Sequence, residues 1–380
     1  MPRDTLVVAG LWVRPMAQSA RRAGWDVIGL DLFGDRDTRA ACVEWRRIGD
    51  PAAMTIDRAA LRAAWCGLSS HPRVSGCVLG SGFEGRFELL DDVPPHVEVI
   101  GADASCVAAV RDPARWFAAL DGLDLDHPPV VFEDCVPDGL HGAWLVKDAH
   151  GSGGWHIRKA TPGMQLGASE YLQRRVEGRS VSALFLADRA RACIVGVSEQ
   201  DVRRLGALPF VYHGAIGPIR DDTITAKLQR GLDALVPALR LAGLASADVL
   251  VAPSGLSWLE INPRPSATML LHGDAWPQGL MQAHVQACAG HLSDVVPRAD
   301  GIAGHRVVFA GEDVTVDASL SDALVQHPWC HDVPMPGTRI GAGEPLCSVS
   351  ARAPDEAALR GVLEQRAVDV ARLALTTEAR

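Results

Sequence analysis

Lysine is scarce in this sequence of 380 residues. Only Lys147, Lys159 and Lys227 are lysines among the 37 basic residues, and 46 acidic residues bring the formal net charge to −9. No long run of basic residues is present. Because affinity for phosphate backbones and acidic lipids comes from clustered cations, nucleic acid and membrane surfaces are poor candidates for partners.

Other signatures are absent as well. The nine cysteines form no CxxC pair, which argues against a zinc site or a disulfide framework and favours reduced thiols in the cytoplasm. No run approaches 18 apolar residues, so we expect no membrane-spanning helix. Neither Gly-x-Ser-x-Gly nor His-Glu-x-x-His occurs, which disfavours a serine hydrolase or a zincin.

The first 110 residues predict a Rossmann-like α/β domain. Short apolar runs and segments with helical spacing alternate there; the apolar runs are 6–10, 26–33, 74–82 and 96–102, and the helical segments are 14–24 and 57–66. Such alternation is typical of βαβ units with a parallel sheet, whose ligands bind at the carboxyl ends of the strands. Arg14 and the turn at 80–84 should then share one rim, where the alternative for each is an ordinary loop.

Two further domains are predicted, at 111–295 and 300–380. The central one reads as antiparallel α+β; its expected elements are helices at 103–121 and 224–242, a strand at 192–197, and a strand pair within 245–262. A linker at 296–301 precedes a small β-rich domain. Its expected elements are strands at 305–310 and 313–317, a turn-rich hairpin at 334–345, and a closing helix at 355–375.

The strongest local signal is a lysine followed by a glycine loop. Lys147 lies in an apolar strand, and Gly151, Ser152, Gly153 and Gly154 follow it. An unpaired ammonium is costly to bury, and successive glycines allow backbone N–H groups to converge on an anion. The glycine spacing matches neither the dinucleotide pattern nor the Walker loop. We interpret the segment as a phosphate site, and the alternative is a glycine-rich hairpin without a ligand.

A second signal is a set of oxygen ligands in 246–268. Glu260 and Asn262 lie two residues apart and therefore on the same side of a strand. If the hairpin is centred on Ser254, Asp248 lies opposite Glu260, and Arg264 follows nearby. Two carboxylates and an amide suit Mg²⁺, with Mn²⁺ as the alternative metal, whereas strand-end acids on a solvated face are the other interpretation.

At these residues the sequence resembles the ATP-grasp superfamily. The order matches that superfamily: a parallel-sheet domain, a lysine strand with a glycine loop, a hinge, and a hairpin with Asp and then EINPR at 260–264. The resemblance implies an ATP-grasp fold with a small C-terminal domain. It also implies activation of a carboxylate by ATP to an acyl phosphate and ADP, followed by attack of an amine.

The resemblance also assigns roles by position. Lys147 would hold the α- and β-phosphates, with 151–154 closing over the γ-phosphate and Arg111 at the place of an earlier nucleotide-binding lysine. Mg²⁺ would be held by Asp248, Glu260 and Asn262, and Arg264 would neutralise the transferring phosphoryl group.

Adenine would meet the hinge at 173–178, which begins at Gln173, through backbone groups of Arg175 and Val176. Two positions depart from the pattern. Arg174 stands where an acidic residue is usual, and Ser180 takes the place of a ribose-binding glutamate.

Within the superfamily the chain resembles a bacterial group of predicted ATP-dependent carboligases. These are related to ligases of tetrahydromethanopterin and methanofuran synthesis, including glutamate ligases. The segments that carry this resemblance are 20–35, 81–84, 170–188, 210–218 and 332–349. It implies a cytoplasmic carboxylate–amine ligase for one-carbon cofactors with small-molecule substrates. The oligomeric state stays open, with a homo-oligomer as one option.

Three alternatives accompany this interpretation. A carboxylase that forms carboxyphosphate and a non-catalytic nucleotide-binding subunit both keep the same fold. A nicotinamide or flavin oxidoreductase is disfavoured because only Gly10 follows the first strand. Candidates for substrate selection, without individual roles, are Arg14, Glu84, Tyr212, His213 and His272. His156 also lies near the motifs, where a histidine that only satisfies hydrogen bonds is the alternative.

Overall fold

A computed structural model describes residues 4–68, 74–140, 142–293, 295–297 and 300–378. The N-terminal region alternates strands and helices, as the sequence predicts. Its elements are β1 (Thr5–Ala9), α1 (Arg14–Arg22), β2 (Asp26–Asp31), α2 (Arg36–Ala41), β3 (Glu44–Arg47), β4 (Gly49–Asp50), β5 (Thr55–Ile56), α3 (Arg58–Leu68), β6 (Val74–Leu79) and a 3₁₀ turn (Phe87–Asp92).

The N-terminal sheet is parallel, with strand order β3-β2-β1-β6. The central strands β1 and β2 carry mostly buried apolar residues, because helices and loops cover both faces, whereas the edge strand β3 is polar and only partly buried. The loop after β1 meets the turn after β6, since the N–H of Leu11 donates to the carbonyl of Ser81 at 2.8 Å. The predicted rim is therefore present at the carboxyl ends of the strands.

Two predicted elements in this region were wrong. Residues 96–102 form no strand, and only Val99 makes an isolated bridge to Cys77. The predicted helix at 103–121 is two helices, α4 (Ala104–Arg111) and α5 (Pro113–Gly122). Pro113 lacks an N–H and disfavours helical geometry at Asp112, which instead caps α5 by accepting from the N–H of Arg115.

The central region contains two antiparallel sheets. Its elements are β7 (Val130–Val131), β8 (Trp144–Asp148), β9 (Ile157–Lys159), β10 (Glu170–Arg174), β11 (Arg179–Asp188), β12 (Ala192–Leu205), β13 (Leu208–Gly217), α6 (Asp222–Leu239), β14 (Ala242–Ala252), β15 (Gly255–Asn262), α7 (Met269–His272), a 3₁₀ turn (Gly273–Ala275) and α8 (Gly279–Cys288). The smaller sheet has the order β7-β10-β8-β9 and carries Lys147 on β8. The strand predicted at 192–197 extends to Leu205.

The C-terminal region completes the larger sheet. Its elements are β16 (Ile302–Phe309), β17 (Val314–Thr315), α9 (Ala318–Val325), β18 (Cys330–His331), β19 (Arg339–Ile340), β20 (Pro345–Ala353) and α10 (Glu356–Glu378). The eight strands run β15-β14-β11-β12-β13-β16-β20-β18. The sheet therefore crosses the predicted linker, of which Arg298 and Ala299 lie outside the described residues.

Each face of the large sheet is covered. One face packs on α4, α5 and α6 around Phe185 and Trp258, and the C-terminal strands pack on α9 and α10. Helix α8 lies between the opposite face and helix α1. None of the helices in the described ranges has the length and apolar character that crossing a bilayer requires.

Candidate functional site

The acidic set lies on the hairpin of β14 and β15. Asp248 pairs directly with Glu260 across the two strands, as predicted. The hairpin is not centred on Ser254, since Ala252 pairs with Gly255, and a bulge between Asp248 and Val249 brings the two acids opposite each other. The side-chain amide of Asn262 lies 3.4 Å from Oδ2 of Asp248 and 3.5 Å from Oε1 of Glu260. The three side chains therefore converge on one point of the large sheet.

The two carboxylates differ in their electrostatics. Burial and the neighbouring Glu260 raise the pKa of Asp248 to about 6. Burial also acts to raise the pKa of Glu260, but the cations of Lys147 and Arg111 outweigh it and lower that pKa to about 2. Glu260 is thus held as an anion. Oδ1 of Asp248 is buried without a hydrogen-bond partner, so one oxygen stays available to a ligand.

Lys147 faces this set from the smaller sheet. Its residue is only 5% exposed, and it lies opposite Tyr171 of β10. Burial alone would lower the pKa of Lys147, but Tyr171 and Glu260 outweigh the effect and raise it. The ammonium is therefore retained between the two sheets, where its charge can meet an anion.

The glycine loop is held in a fixed shape. Gly153 and Gly154 have φ of +63° and +80°, a region that side chains rarely adopt. The carbonyl of Gly153 accepts from the N–H of Tyr212 at 3.0 Å, and a Cβ on Gly154 would lie 1.7 Å from the carbonyl oxygen of Phe210. The loop lies so close to β13 that only glycine fits at 154.

Arg111 braces the start of this loop from the end of α4. Its Nη2 donates to the carbonyls of Ala149 at 2.5 Å and Gly151 at 2.8 Å. Its Nε is buried and has no partner. The guanidinium therefore places positive charge beside the loop, and its Nε–H donor remains without a partner.

Arg264 connects the acidic set to the N-terminal rim. Its Nη2 donates to Oδ1 of Asn262 at 3.2 Å, and its Nε donates to Oε1 of Glu84 at 2.8 Å. Glu84 is 5% exposed and also accepts from the N–H of Gly82 at 2.8 Å. No individual role was predicted for Glu84, because its contact with Arg264 joins segments 180 positions apart.

Comparisons with known proteins identify the fold. Residues 112–268 match the family model for an ATP-grasp domain. Biotin carboxylase from Campylobacter jejuni, solved as a β,γ-ATP complex, has a TM-score of 0.72 at 10% identity, covering 95% of this chain and 90% of that one. The chain has the ATP-grasp fold.

Two further solved structures have the same fold. Carboxyaminoimidazole ribonucleotide synthase from Aspergillus clavatus, complexed with ATP, has a TM-score of 0.71 at 13% identity over 98% of this chain and 99% of that one. N5-carboxyaminoimidazole ribonucleotide synthetase from Thermus thermophilus has a TM-score of 0.66 at 16% identity over 97% of this chain and 98% of that one. No curated protein sequence matches the chain significantly.

The segment predicted as the hinge, 173–178, leads from β10 to β11. Gln173 is 3% exposed and its Nε2 has no partner. The N–H of Arg175 donates to the carbonyl of Ala143 at 2.8 Å, so that donor is used within the chain. The carbonyl of Arg175 and the backbone of Val176 stay candidates.

The hydroxyl of Ser180 has a partner within the chain. It donates to Oε1 of Gln200 at 2.8 Å, and the side chains of Gln200 and Ser182 are hydrogen-bonded to Asp248. Ser180 therefore supports the acidic set through Gln200. The ribose-binding role expected of Ser180 lacks support from these contacts.

Most of the other candidate side chains have structural partners. Nε2 of His272 is hydrogen-bonded to the hydroxyl of Ser198 at 2.9 Å. Nδ1 of His213 lies 3.0 Å from the carbonyl oxygen of Val211. Arg14 is paired with carboxylates of the rim and the C-terminal region. Tyr212 contacts the ring of a C-terminal histidine.

His156 is an exception. Burial and the nearby Lys147 lower its pKa to about 4, so its ring is neutral, and its buried Nδ1 has no partner. A neutral ring beside the glycine loop can exchange one hydrogen bond with a bound ligand.

Proposed function

We propose that the chain is an ATP-dependent ligase that forms ADP and joins a carboxylate to an amine through an acyl phosphate. The observation that carries this proposal is the convergence of Lys147, the acidic set and Arg264 between two sheets of an ATP-grasp fold. The similar solved structures of carboxylase and synthetase, described with ATP or its analogue, support it.

The nucleotide phosphates would lie between Lys147 and the glycine loop. Lys147 presents a compact buried charge, and the loop around Ser152 offers backbone groups at close range, braced by Arg111. These groups position the phosphates by charge and geometry, which supplies most of the catalysis in phosphoryl transfer.

The residues present fit a divalent cation. The buried Oδ1 of Asp248 lacks a partner and Glu260 is held as an anion. Asn262, the third predicted ligand, turns its Nδ2 donor towards these carboxylates and its Oδ1 towards Arg264, so the fit to a cation rests on the two carboxylates. Within the described ranges no group of three or more His, Cys, Asp or Glu side chains could hold a metal by itself. A site with two carboxylates that also uses substrate phosphates is typical of Mg²⁺, which there neutralises phosphate charge.

The proposed reaction has two steps. A carboxylate oxygen attacks the γ-phosphorus of ATP, ADP leaves, and an acyl phosphate forms. The amine nitrogen then attacks the acyl carbon, inorganic phosphate leaves with the C–O bonding electrons, and the nitrogen loses a proton. Arg264, oriented by Glu84, is positioned to neutralise charge on the transferring group in both steps.

The carboxylate substrate that we propose first is glutamate, joined to a small amine in one-carbon cofactor synthesis. This proposal depends on the sequence resemblance to glutamate ligases. We propose a cytoplasmic location and keep a homo-oligomer as an option. The ATP-grasp fold is equally compatible with a carboxylase, and the similarity to biotin carboxylase gives that second candidate specific support.

Turnover of MgATP would test the function. ADP release is measured with glutamate and a panel of amines, and separately with bicarbonate replacing glutamate. The ligase predicts release that requires both organic substrates, and a carboxylase predicts release that requires bicarbonate. Glu260→Gln should lower turnover by about 100-fold or more, because one charged contact of the phosphoryl site is lost. The exposed control Glu312→Gln should retain it. A Glu260→Gln variant with full turnover would refute the metal assignment.

A further inference from the structure

A cavity of about 270 Å³ lies between α7 and the C-terminal strands. It is lined by residues 270, 271, 274, 303–305, 328, 329, 350–352 and 366, and is called the C-terminal cavity below. These residues belong to α7, β16, β20 and α10 and to the segments beside them. None of them is part of the acidic set, the glycine loop or the predicted hinge, so the cavity is distinct from the proposed nucleotide site.

His305 is a buried polar side chain in the wall of this cavity. The residue is 5% exposed, and its Nε2 lies 2.8 Å from the hydroxyl of Tyr212. Its Nδ1 is buried and has no hydrogen-bond partner. Because buried polar atoms in folded proteins nearly always have a partner, this nitrogen indicates a ligand that completes the wall.

The contact with Tyr212 places the proton of the His305 ring. Burial raises the pKa of Tyr212, so the phenol keeps its hydrogen and donates it to Nε2 of His305. Burial, and after it the charge of Arg14, lowers the pKa of His305 to about 4, so its ring is neutral. A neutral imidazole that accepts at Nε2 carries its proton on Nδ1. The unpartnered nitrogen is therefore an N–H donor that lacks an acceptor.

The charge of the cavity comes from two arginines. Nη2 of Arg352 lies 2.8 Å from Oδ2 of Asp274, so that guanidinium is neutralised. The guanidinium of Arg366 lies 5.1 Å from the ring centroid of Trp329. Within the described ranges no carboxylate pairs with Arg366, and partial burial lowers its pKa without an acid to offset the effect. The cavity therefore keeps one positive charge without a counter-ion.

Strand register brings this charge and the free donor to the same part of the wall. Nη1 of Arg366 donates to the backbone carbonyl of Ser350. Ser350 lies directly opposite His305 in the pairing of β16 with β20. All three residues line the cavity. One bound group can therefore meet a guanidinium and an imidazole N–H from neighbouring positions.

Much of the remaining wall is apolar. Leu271 and Ala303 are buried, whereas Leu270 is half-buried and Pro328 is exposed. Apolar walls with a few convergent polar groups are typical of small-molecule sites, whose volumes are roughly 300–1,000 Å³. The volume of about 270 Å³ is close to the lower limit and suits a ligand with a single ring or a short chain. One uncompensated charge matches a carboxylate better than a phosphate monoester, which carries about two charges.

We propose that the C-terminal cavity is a second small-molecule site that binds the carboxylate of a small organic acid. Arg366 is the charge partner of that carboxylate, and the Nδ1–H of His305 donates to it. Hydrogen bonds between a guanidinium and a carboxylate are strengthened by the two charges. The apolar wall holds the body of the acid. This inference goes beyond the proposed function and does not depend on it.

Matched probes test the proposal. Phenylacetate and phenylacetamide have the same ring and differ in the charge of the terminal group, and each is titrated into the full chain by calorimetry. We expect phenylacetate to bind at least about tenfold more tightly, because the amide cannot pair with a guanidinium charge. Arg366→Met keeps most of the length of the side chain and should reduce the difference to within about twofold. His305→Phe keeps a ring but removes the donor, and should weaken phenylacetate binding at least about fivefold.

The control variant is Arg372→Met, which removes an exposed arginine from the same helix, α10, outside the cavity. It should bind phenylacetate as the wild type does. Thermal midpoints verify that each variant folds. Saturating MgADP should leave phenylacetate binding unchanged, and competition between the two would place the acid in the nucleotide site and overturn the proposal.

Three other results would also overturn it. The first is equal or undetectable binding of phenylacetate and phenylacetamide by the wild type. The second is a preference that survives both Arg366→Met and His305→Phe. The third is tighter binding of phenyl phosphate than of phenylacetate, which would exclude a site for a single charge.

Discussion

At the scale of single residues, Lys147 is the side chain on which nucleotide binding should depend most. Replacing it with alanine should weaken MgADP binding by about 10- to 100-fold, since a charge-assisted contact to phosphate is worth roughly 1.5–3 kcal/mol. Isothermal titration measures the change. Lys159→Ala, an exposed lysine on the neighbouring strand β9, should bind MgADP normally. Equal losses in both variants would contradict a specific role for Lys147.

Replacement of Asp248 should increase the stability of the ligand-free protein but weaken its function. Its carboxylate is buried beside that of Glu260, so Asp248→Asn removes a repulsion in the ligand-free protein. We expect a gain of about 1 kcal/mol, which is a rise of roughly 2–4 °C in Tm. Added MgADP should stabilise the variant far less than the wild type. Differential scanning calorimetry with and without MgADP tests both statements, and a lower Tm without ligand would contradict the first.

The acidic set could be predicted from the sequence because it is local. The two-residue period of a strand places Glu260 and Asn262 on one side, and the neighbouring hairpin strand brings Asp248 opposite Glu260. The bulge between Asp248 and Val249 that produces this pairing had no signal in the sequence. The bond between Glu84 and Arg264 spans 180 positions. Only the packing of the N-terminal rim against the hairpin brings that pair together, so no local pattern could predict it.

At the scale of elements, the glycine loop depends on its contact with β13. Gly154→Ala would combine a positive φ with a Cβ 1.7 Å from the carbonyl oxygen of Phe210, so the loop would have to move. Gly163 also has a positive φ, +74°, but open space around it. Gly163→Ala should therefore lower the free energy of unfolding only by the cost of a positive φ for alanine, about 1–2 kcal/mol.

The two alanine variants separate conformation from contact. Gly154→Ala should lose more stability in urea unfolding and should also bind MgADP at least about tenfold more weakly. Gly163→Ala should bind MgADP normally. Identical behaviour of the two variants would show that the approach to Phe210 has no consequence for the loop.

Helices and strands with clear periodicity and clear start and stop signals could be predicted from the sequence, and the other elements could not. The periodic segments of α1, α3 and α10 match their predicted positions within a few residues. The segment 96–102 has a strand-like composition, but in the described residues its pairing is limited to the isolated bridge between Val99 and Cys77 of β6. The break at Pro113 was visible in the sequence as a residue that disfavours helix at the preceding position, and the prediction of one helix ignored it.

At the scale of the whole molecule, the sheet order depends on pairing between distant segments. The sequence predicts three regions from their patterns, but it gives no signal that β13 pairs with β16, some ninety residues further along. The C-terminal strands share an apolar core with α9 and α10, and Ile216 of β13 belongs to the same core. The C-terminal region therefore continues the central sheet, and the contacts of Arg14 with Asp332 join it to the N-terminal domain.

This continuity predicts the result of truncation. A chain that ends at Pro297 would expose the edge of β13, where Ala215 and Ile216 are buried in the intact protein. Unpaired strand edges with apolar side chains promote aggregation. We therefore expect the truncated chain to be insoluble or to elute as large aggregates, measured by size-exclusion chromatography with light scattering. Arg36→Ala in the full chain, which removes an exposed contact with Asp322, should elute as the wild type does. A truncated chain that is monodisperse and unfolds cooperatively would show instead that the central region folds without its C-terminal strands.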